Sequence, residues 1–371
     1  LKLTVIQTLP ALNSGGVERG TIEVADKLVR NGHRSIVISS GGQMLSQLLQ
    51  TGSEHITLPI GKKSLSSLLL IKKLRRVFRE SEANILHARS RLPAWLSYLA
   101  WRKLDESDRP HFVTSVHGPY SVNRYSKIMT RGERVIAISE FIHNYIEQNY
   151  PDVDLGKVST IYRGVDPELF NTEYKPSSTW LENWHANNPH LGGRIIITLP
   201  ARITRWKGQQ DFINIIEKLV NEKIAVHGLI VGGADSRRKS YFQELKNQVS
   251  TLGLQKNISF LGHRSDIKDV MSISNLVMSL AREPEAFGRT ALEALALGIP
   301  VIAYDHGGAS EVLKQMFPSG LVKKHDIDAA TSKVKQFTEC PPQVSNDNPF
   351  TLARMLDDTL QLYQDLVCAK K

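Results

Sequence analysis

Two carboxylates with seven residues between them, Glu285 and Glu293 in the stretch from Arg282 to Pro300, are the part of this sequence best placed to do chemistry. Paired carboxylates are the tools of acid/base glycoside hydrolysis. The local pattern argues for a different use. Glu285 follows the turn-forming Pro284 and precedes a helical run, whereas Glu293 falls inside that run between Leu292 and Ala294. The two therefore reach different parts of one elongated ligand, where a carboxylate accepts hydrogen bonds from sugar or ribose hydroxyls. Between them, Phe287, Gly288 and Arg289 stand where a strand gives way to a helix N-terminus, whose backbone amides favour an anion.

A second constellation is cationic. Arg202 and Lys207 lie in the segment from Pro200 to Gly208, after an apolar run and just before a helix beginning near Gln210. Cations at a helix N-terminus oppose the macrodipole, so an anion such as a diphosphate would explain them; the competing reading is a solvated basic loop. Earlier in the chain, Gly15 and Gly16 join a strand to a helix and allow close approach of backbone to a ligand, although a plain turn would look the same. This is neither a Gly-x-Gly-x-x-Gly fingerprint nor a Walker loop, because no Lys follows Gly20. His117 closes another strand, and Gly307-Gly308 repeats the glycine logic near the end. The Asp152/Asp154 and Asp326/Asp328 pairs stand in turn-like or helix-leading contexts, so no metal site is expected from them.

These residues need a scaffold that delivers strand ends. Apolar runs predict strands at 3–8, 35–39, 55–58, 85–87, 112–116, 135–138 and 158–162, separated by helical spacing such as that of 17–30 and 93–104. The alternation lapses through 171–193, which carries Pro, Asn and Trp, and restarts with strands at 195–199, 226–231, 258–261, 276–280 and 301–304. Repeated strand–helix units mean an α/β protein with parallel sheets. The expectation is two Rossmann-like domains facing across a cleft, one over 1–170 and one over 194–348, with a linker over 171–193. A ligand with a nucleotide at one end and a second substrate at the other fits that geometry. The final helix, 349–371, would cross back to the first domain. Ligands of such sheets bind outside the carboxyl ends of the strands.

Bulk properties agree with a two-domain globular chain. At 371 residues it is longer than one core usually supports, and no apolar run approaches the roughly 18 residues of a membrane span. The opening residues read as a strand rather than a secretory leader, and Cys340 and Cys368 lack metal-ligand spacing; a cytoplasmic location is expected. The net charge of +10 is concentrated: residues 62–103 hold eleven Lys or Arg against Glu80 and Glu82. Within 64–79, spacing of three and four sets Ile71, Leu74 and Phe78 on one helix face and Lys72, Arg76 and Arg79 on another, with Lys73 and Arg75 adding charge. An anionic membrane surface would attract such a face, although a core-packed helix with a solvated side has the same pattern; no aromatic platform suggests nucleic acid.

Taken together and in this order, Gly15-Gly16, His117-Gly118, Tyr162-Arg163-Gly164-Val165-Asp166, the Arg202/Lys207 loop and Glu285-x7-Glu293 make the chain resemble glycosyltransferase family 4. These are retaining enzymes of the GT-B fold that include bacterial lipopolysaccharide and glycolipid sugar transferases. The resemblance covers most of the chain. Two positions depart from the family pattern: Arg163 stands where Asn is frequent, and Leu199-Pro200-Ala201 replaces the commoner glycine before Arg202.

The resemblance implies a hexosyl transfer from a nucleotide sugar, UDP-, GDP- or ADP-linked, to a hydroxyl of an anionic glycolipid or saccharide acceptor, without cofactor or metal. It assigns Arg202 and Lys207 to the diphosphate, Glu293 to the ribose and Glu285 to the sugar hydroxyls. Backbone amides around Phe287, Gly288 and Arg289 would meet the sugar, Gly15 and Gly16 would approach the phosphates, and His263 would lie at the strand end lining the base. It sets His117 near the reacting sugar carbon, so His117 and Glu285 are the candidate catalytic residues. Lys72, Lys73, Arg75, Arg76 and Arg79 are the candidate contacts to the acceptor or to the inner face of the membrane. The rivals are a nucleotide-sugar epimerase of the same fold and a binding protein that has lost turnover.

Overall fold

The computed structural model describes residues 1–13, 15–235 and 238–369 and divides into two compact units. The first contains residues 1–162 with 353–371, the second residues 163–352. In the first, β1 (Thr4–Thr8), α1 (Gly16–Arg30), β2 (Arg34–Ser39), α2 (Leu45–Gln50), β3 (Glu54–Thr57), α3 (Leu70–Glu80), β4 (Ile85–Ala88), α4 (Arg91–Trp101), β5 (His111–Val116), β6 (Arg134–Ala137), α5 (Glu140–Asn149) and β7 (Val158–Thr160) follow one another. The second runs α6 (Ser178–Asn187), β8 (Ile195–Pro200), α7 (Gln209–Asn221), β9 (Val226–Val231), α8 (Lys239–Thr251), β10 (Ile258–Gly262), α9 (Ile267–Ser272), β11 (Leu276–Ser279), α10 (Arg289–Ala296), β12 (Val301–Tyr304), α11 (Gly307–Met316), β13 (Leu321–Val322) and α12 (Ile327–Glu339). The last helix, α13 (Leu352–Cys368), belongs almost wholly to the first unit.

Every strand pairs in parallel, in the orders β3-β2-β1-β4-β5-β6-β7 and β10-β9-β8-β11-β12-β13. Parallel sheets covered on both faces require strands apolar on both sides, and β4, β9, β11 and β12 are buried throughout. In each sheet the order reverses beside the first strand, between β1 and β4 and between β8 and β11. A crevice opens at such a reversal, outside the carboxyl ends of the strands. The loops after β1, β8 and β11 are the ones that carry Gly15-Gly16, Arg202/Lys207 and Glu285.

The stretch 171–193, expected as a linker, is built into the second unit. Ser177 caps α6 by accepting from the Trp180 amide (3.2 Å), and Trp184 and Leu191 are buried in one cluster with Ile196, Leu229, Val231 and Val270. The chain instead changes unit near Tyr162 and again near Leu352, and these two crossings are tied together. Val165 donates to the Phe350 carbonyl (3.1 Å) and Leu352 to the Val165 carbonyl (2.8 Å). A Cβ on Gly164 would lie 2.2 Å from the Thr351 oxygen, so the Arg163-Gly164-Val165-Asp166 segment has a structural duty at the crossing.

Two further expectations change. The basic segment 64–79 forms a 3₁₀ turn, Leu65–Leu69, before α3, and the face it buries is Leu70, Leu74 and Phe78, with Ile71 only partly covered. Arg89, one of the eleven cations of 62–103, is 2% exposed at the end of β4, where its Nε donates to Gln7 Oε1 (2.7 Å). Burial pulls its guanidinium below the ordinary arginine pKa. Next to it, His87 is 2.6 Å from the Tyr363 hydroxyl, which fastens α13 to the first sheet. Among the described residues no helix is long and apolar enough to cross a membrane.

Candidate functional site

The loop after β8 is held by its backbone, with Arg202 at the surface and Lys207 largely covered. Ile203 donates to the Gly233 carbonyl (3.1 Å), Lys207 to the Thr204 carbonyl (3.0 Å), and Gln209 Nε2 to the Arg202 carbonyl (2.9 Å). Gly208 then starts α7 in the left-handed region (φ 77°), and a Cβ there would stand 1.9 Å from the Leu280 oxygen. Arg202 is exposed.

The loop after β11 is closed by Gly288, also left-handed (φ 81°), whose Cβ would lie 2.5 Å from Ala309 Cα at the start of α11. Gly308 donates to the Glu285 carbonyl (2.7 Å), so the N-terminus of α11 supports the residue that carries the carboxylate. Phe287 is 4% exposed and meets Phe350 edge to face, with centroids 5.7 Å apart. Its ring is core. Behind it Leu292 and Leu295 of α10 are fully buried, each worth about 1.5–3 kcal/mol of burial.

These two loops are joined by charge. Lys207 Nζ lies 2.6 Å from Glu285 Oε1, with 16% and 14% of the two side chains exposed, and the ammonium also sits 4.4 Å from the Trp206 ring centroid. Glu293 takes a different partner: Arg289, one turn earlier on α10, donates from Nε to its Oε1 (3.2 Å). Glu293 is 6% exposed, so its carboxylate is nearly covered. The paired-carboxylate reading thus gives way to two separate ion pairs. His263 is exposed just past the end of β10, beside Gly233.

The first unit holds the remaining candidates. Gly15 and Gly16 lie exposed at the N-terminus of α1, and a Cβ built on Gly16 would meet nothing within 4 Å. His117 follows β5, with its backbone amide on the Tyr120 hydroxyl (3.2 Å). Arg91 stacks over Tyr120 (4.8 Å) and Tyr125 (5.5 Å), which steadies the loop beyond His117. Lys72, Lys73, Arg76 and Arg79 are exposed along α3, Arg75 is half-buried, and Arg76 is paired with Glu80 (2.6 Å). The Asp pairs do local work: Asp154 and Asp326 cap helices, while Asp152 and Asp328 hold Lys127 and Lys218.

Sequence reasoning missed Asp211. It lies in the first turn of α7, where Arg282 grips it from Nη2 (2.5 Å) and Nε (3.2 Å) and Tyr304 donates its hydroxyl (2.8 Å). Burial alone would raise this carboxyl, but the hydrogen bonds from Arg282 and Tyr304 outweigh it and hold the pKa below the usual aspartate value. The only sequence signal was an acid in the first turn of a helix.

Known proteins share this fold. Residues 14–169 match the family model described as Glycosyltransferase Family 4, and residues 182–348 match that for Glycosyl transferases group 1. The crystal structure of a glycosyltransferase from Rickettsia africae ESF-5 superposes with a TM-score of 0.87, at 32% identity over 99% of each chain. An N-acetyl-alpha-D-glucosaminyl L-malate synthase of Bacillus anthracis is 25% identical over 85% of this chain and 82% of its own. A UDP-Gal:alpha-D-GlcNAc-diphosphoundecaprenol alpha-1,3-galactosyltransferase of Escherichia coli is 22% identical over 100% of this chain and 98% of its own. With its two Rossmann-like units of GT-B type, the chain belongs to glycosyltransferase family 4 and is a glycosyltransferase of the hexosyltransferase kind.

Proposed function

We propose that the enzyme moves a sugar from a nucleoside-diphosphate sugar to a hydroxyl of an anionic glycolipid or lipopolysaccharide-type acceptor, with retention at the anomeric carbon and without a metal ion. The observation that carries this reading is the Lys207–Glu285 contact at the reversal point of the second sheet. It sets a cation suited to a diphosphate beside a carboxylate suited to sugar hydroxyls, at the helix N-termini that favour an anion. Arg202 is the second cation of the clamp, Glu293 the partner of the ribose, and His263 a neighbour of the base. Gly16 offers open backbone to the phosphates, and His117 is the residue near the reacting carbon.

In the step itself, the bond from the anomeric carbon to the diphosphate oxygen breaks while the acceptor oxygen bonds on the same face. The departing diphosphate takes the acceptor proton. Lys207 and Arg202 stabilise the negative charge that grows on the leaving oxygen, and this preorganised field is the main catalytic term. Those cations supply what a metal would otherwise supply. The E. coli relative, by its name, uses a UDP sugar and an anionic lipid diphosphate, which favours the same classes of donor and acceptor here. The place of action is the cytoplasmic side of the membrane, with α3 turned to its surface.

The test is a thermal-shift screen of UDP-, GDP- and ADP-sugars, since a ligand stabilises the fold by the logarithm of its concentration over its Kd. Transfer by the stabilising donor to lipid acceptors is then measured with EDTA present. Activity that disappears with EDTA ends the metal-free reading. Free epimer formed without acceptor would favour epimerisation, and binding without transfer to any acceptor would favour a protein that has lost turnover.

A further inference from the structure

The donor-site reading employs Lys207, Glu285 and the glycines, and leaves the most buried carboxylate nearby without a role. Asp211 has 5% of its side chain exposed, and its carboxylate is taken up by Arg282 and Tyr304. What it touches is informative. Arg282 lies three residues before Glu285 in the loop after β11, and besides gripping Asp211 it donates from Nη1 to Gln210 Oε1 (3.0 Å). The Arg282 amide also donates to the Trp206 carbonyl (2.6 Å), one residue before Lys207. Tyr304 ends β12, just before the turn whose Gly308 amide holds the Glu285 carbonyl. His325, beyond β13, stands 3.4 Å from the same carboxylate.

The loops after β8 and β11 are therefore linked twice, at one end by Arg282 and at the other by the Lys207–Glu285 pair. A diphosphate that draws Lys207 away from Glu285 removes the second link and leaves the first. We propose that Asp211 is a positioning residue of the donor site. Through Arg282 and Tyr304 it fixes the strand-end loops after β8, β11 and β12 in register, so that Lys207 and Glu285 keep their places while the diphosphate separates them. This rests on the reading of the second unit as the donor site, and it adds a residue to which the resemblance assigns nothing.

Amide hydrogen exchange on the full chain, with and without UDP, compares the wild type with Asp211→Asn and Tyr304→Phe. In Asp211→Asn, segments 202–208 and 282–288 are expected to exchange together about tenfold faster or more, while β9 and the first unit are unchanged. In Tyr304→Phe the same two segments move by less, and UDP slows them less than in the wild type. Exchange in both segments that stays at the wild-type rate overturns the proposal. Acceleration spread evenly over the second unit does so too, because that is what loss of a merely structural contact produces. If Asp211→Asn does not fold, Tyr304→Phe decides on the same criteria. Wild-type protein that binds none of UDP, GDP or ADP overturns the donor-site reading and this proposal with it. That result is distinct from the failure of Asp211 alone, in which the wild type binds and the loops of the variants are unmoved.

Discussion

Lys207 Nζ lies 2.6 Å from Glu285 Oε1, so any anion arriving at the lysine meets a carboxylate already in possession. Replacing Glu285 by Gln keeps an acceptor for the ammonium and removes the competing charge. UDP alone should then bind more tightly, by up to about fivefold for a partly exposed pair worth about 1 kcal/mol, while transfer falls because the sugar grip is weakened. Calorimetric titration of both proteins with UDP checks this. Weaker binding by the variant would show that the pair does not compete with phosphate.

The lysine itself should be indispensable to turnover and nearly neutral to folding. Lys207→Ala removes a preorganised positive charge from the leaving diphosphate, a loss of about 10²–10³ in kcat. Its side chain is 16% exposed and paired with Glu285, but the loop is held by backbone hydrogen bonds that the substitution leaves in place, so the melting temperature should fall by only a few degrees. Steady-state rates measured beside a thermal melt separate the two effects; a collapse of the melt would place Lys207 in the fold rather than in the reaction.

Glycines of the two units should fail in opposite ways. Gly288→Ala forces a Cβ onto φ 81° and to within 2.5 Å of Ala309 Cα, so it should destabilise by at least about 1–2 kcal/mol, visible as a lower denaturant midpoint. Gly16→Ala meets nothing within 4 Å and should leave that midpoint in place while weakening the nucleotide sugar, because only an approaching ligand would feel the methyl. Equal stability and equal donor affinity in Gly16→Ala would remove Gly16 from the site.

The strands of both sheets were legible because buried parallel strands are near-continuous apolar runs, and β1, β8 and β11 begin within a residue of where the pattern sets them. β13, only two residues long, has no such run to read. The helix inside 171–193 was obscured by its flanking Pro and Asn residues, although Ser177 three residues before Trp180 is a cap signal. Of the site, the Arg202/Lys207 and Glu285/Glu293 loops were readable as local motifs. Their partners were not: Tyr304 reaches Asp211 across 93 positions, and Arg89 is covered by Gln7 from 82 positions away. No local spacing encodes a contact of that range.

Stability should fall between about pH 6.5 and pH 4, with the largest histidine contribution from His227 and smaller ones of the same sign from His33, His55 and His306. His227 on β9 is buried, and desolvation first, then the charges of His190 and Arg194, lower its pKa from 6.5 to about 4. The native state thus holds His227 neutral where the unfolded chain takes up a proton. This contribution to stability is present above the unfolded pKa and is lost as the pH falls to the folded one. His227→Gln, which can still reach the Ser259 hydroxyl now 2.9 Å from Nε2, should make melting temperature less steep against pH in that interval. An imidazole of His227 that titrates by NMR near 6.5 would contradict the account.

The exposed face of α3 should bind anionic bilayers and little else. Lys72, Lys73 and Arg79 are exposed on the side opposite Leu70, Leu74 and Phe78, and Arg76 is partly neutralised by Glu80 at 2.6 Å. Arg89 contributes nothing to this face, because it is buried and held by Gln7. At about 1 kcal/mol per cation, reversing both Lys72 and Lys73 to Glu should lower partitioning onto phosphatidylglycerol vesicles by well over tenfold. Phosphatidylcholine vesicles should bind neither protein, and salt should weaken the wild type alone because screening acts on exposed charges. The same double variant should keep the wild-type affinity for the nucleotide sugar, since α3 lies in the first unit and the loops after β8 and β11 in the second. Co-sedimentation of the variant at the wild-type level would mean that the charge of α3 is only a solvated helix face.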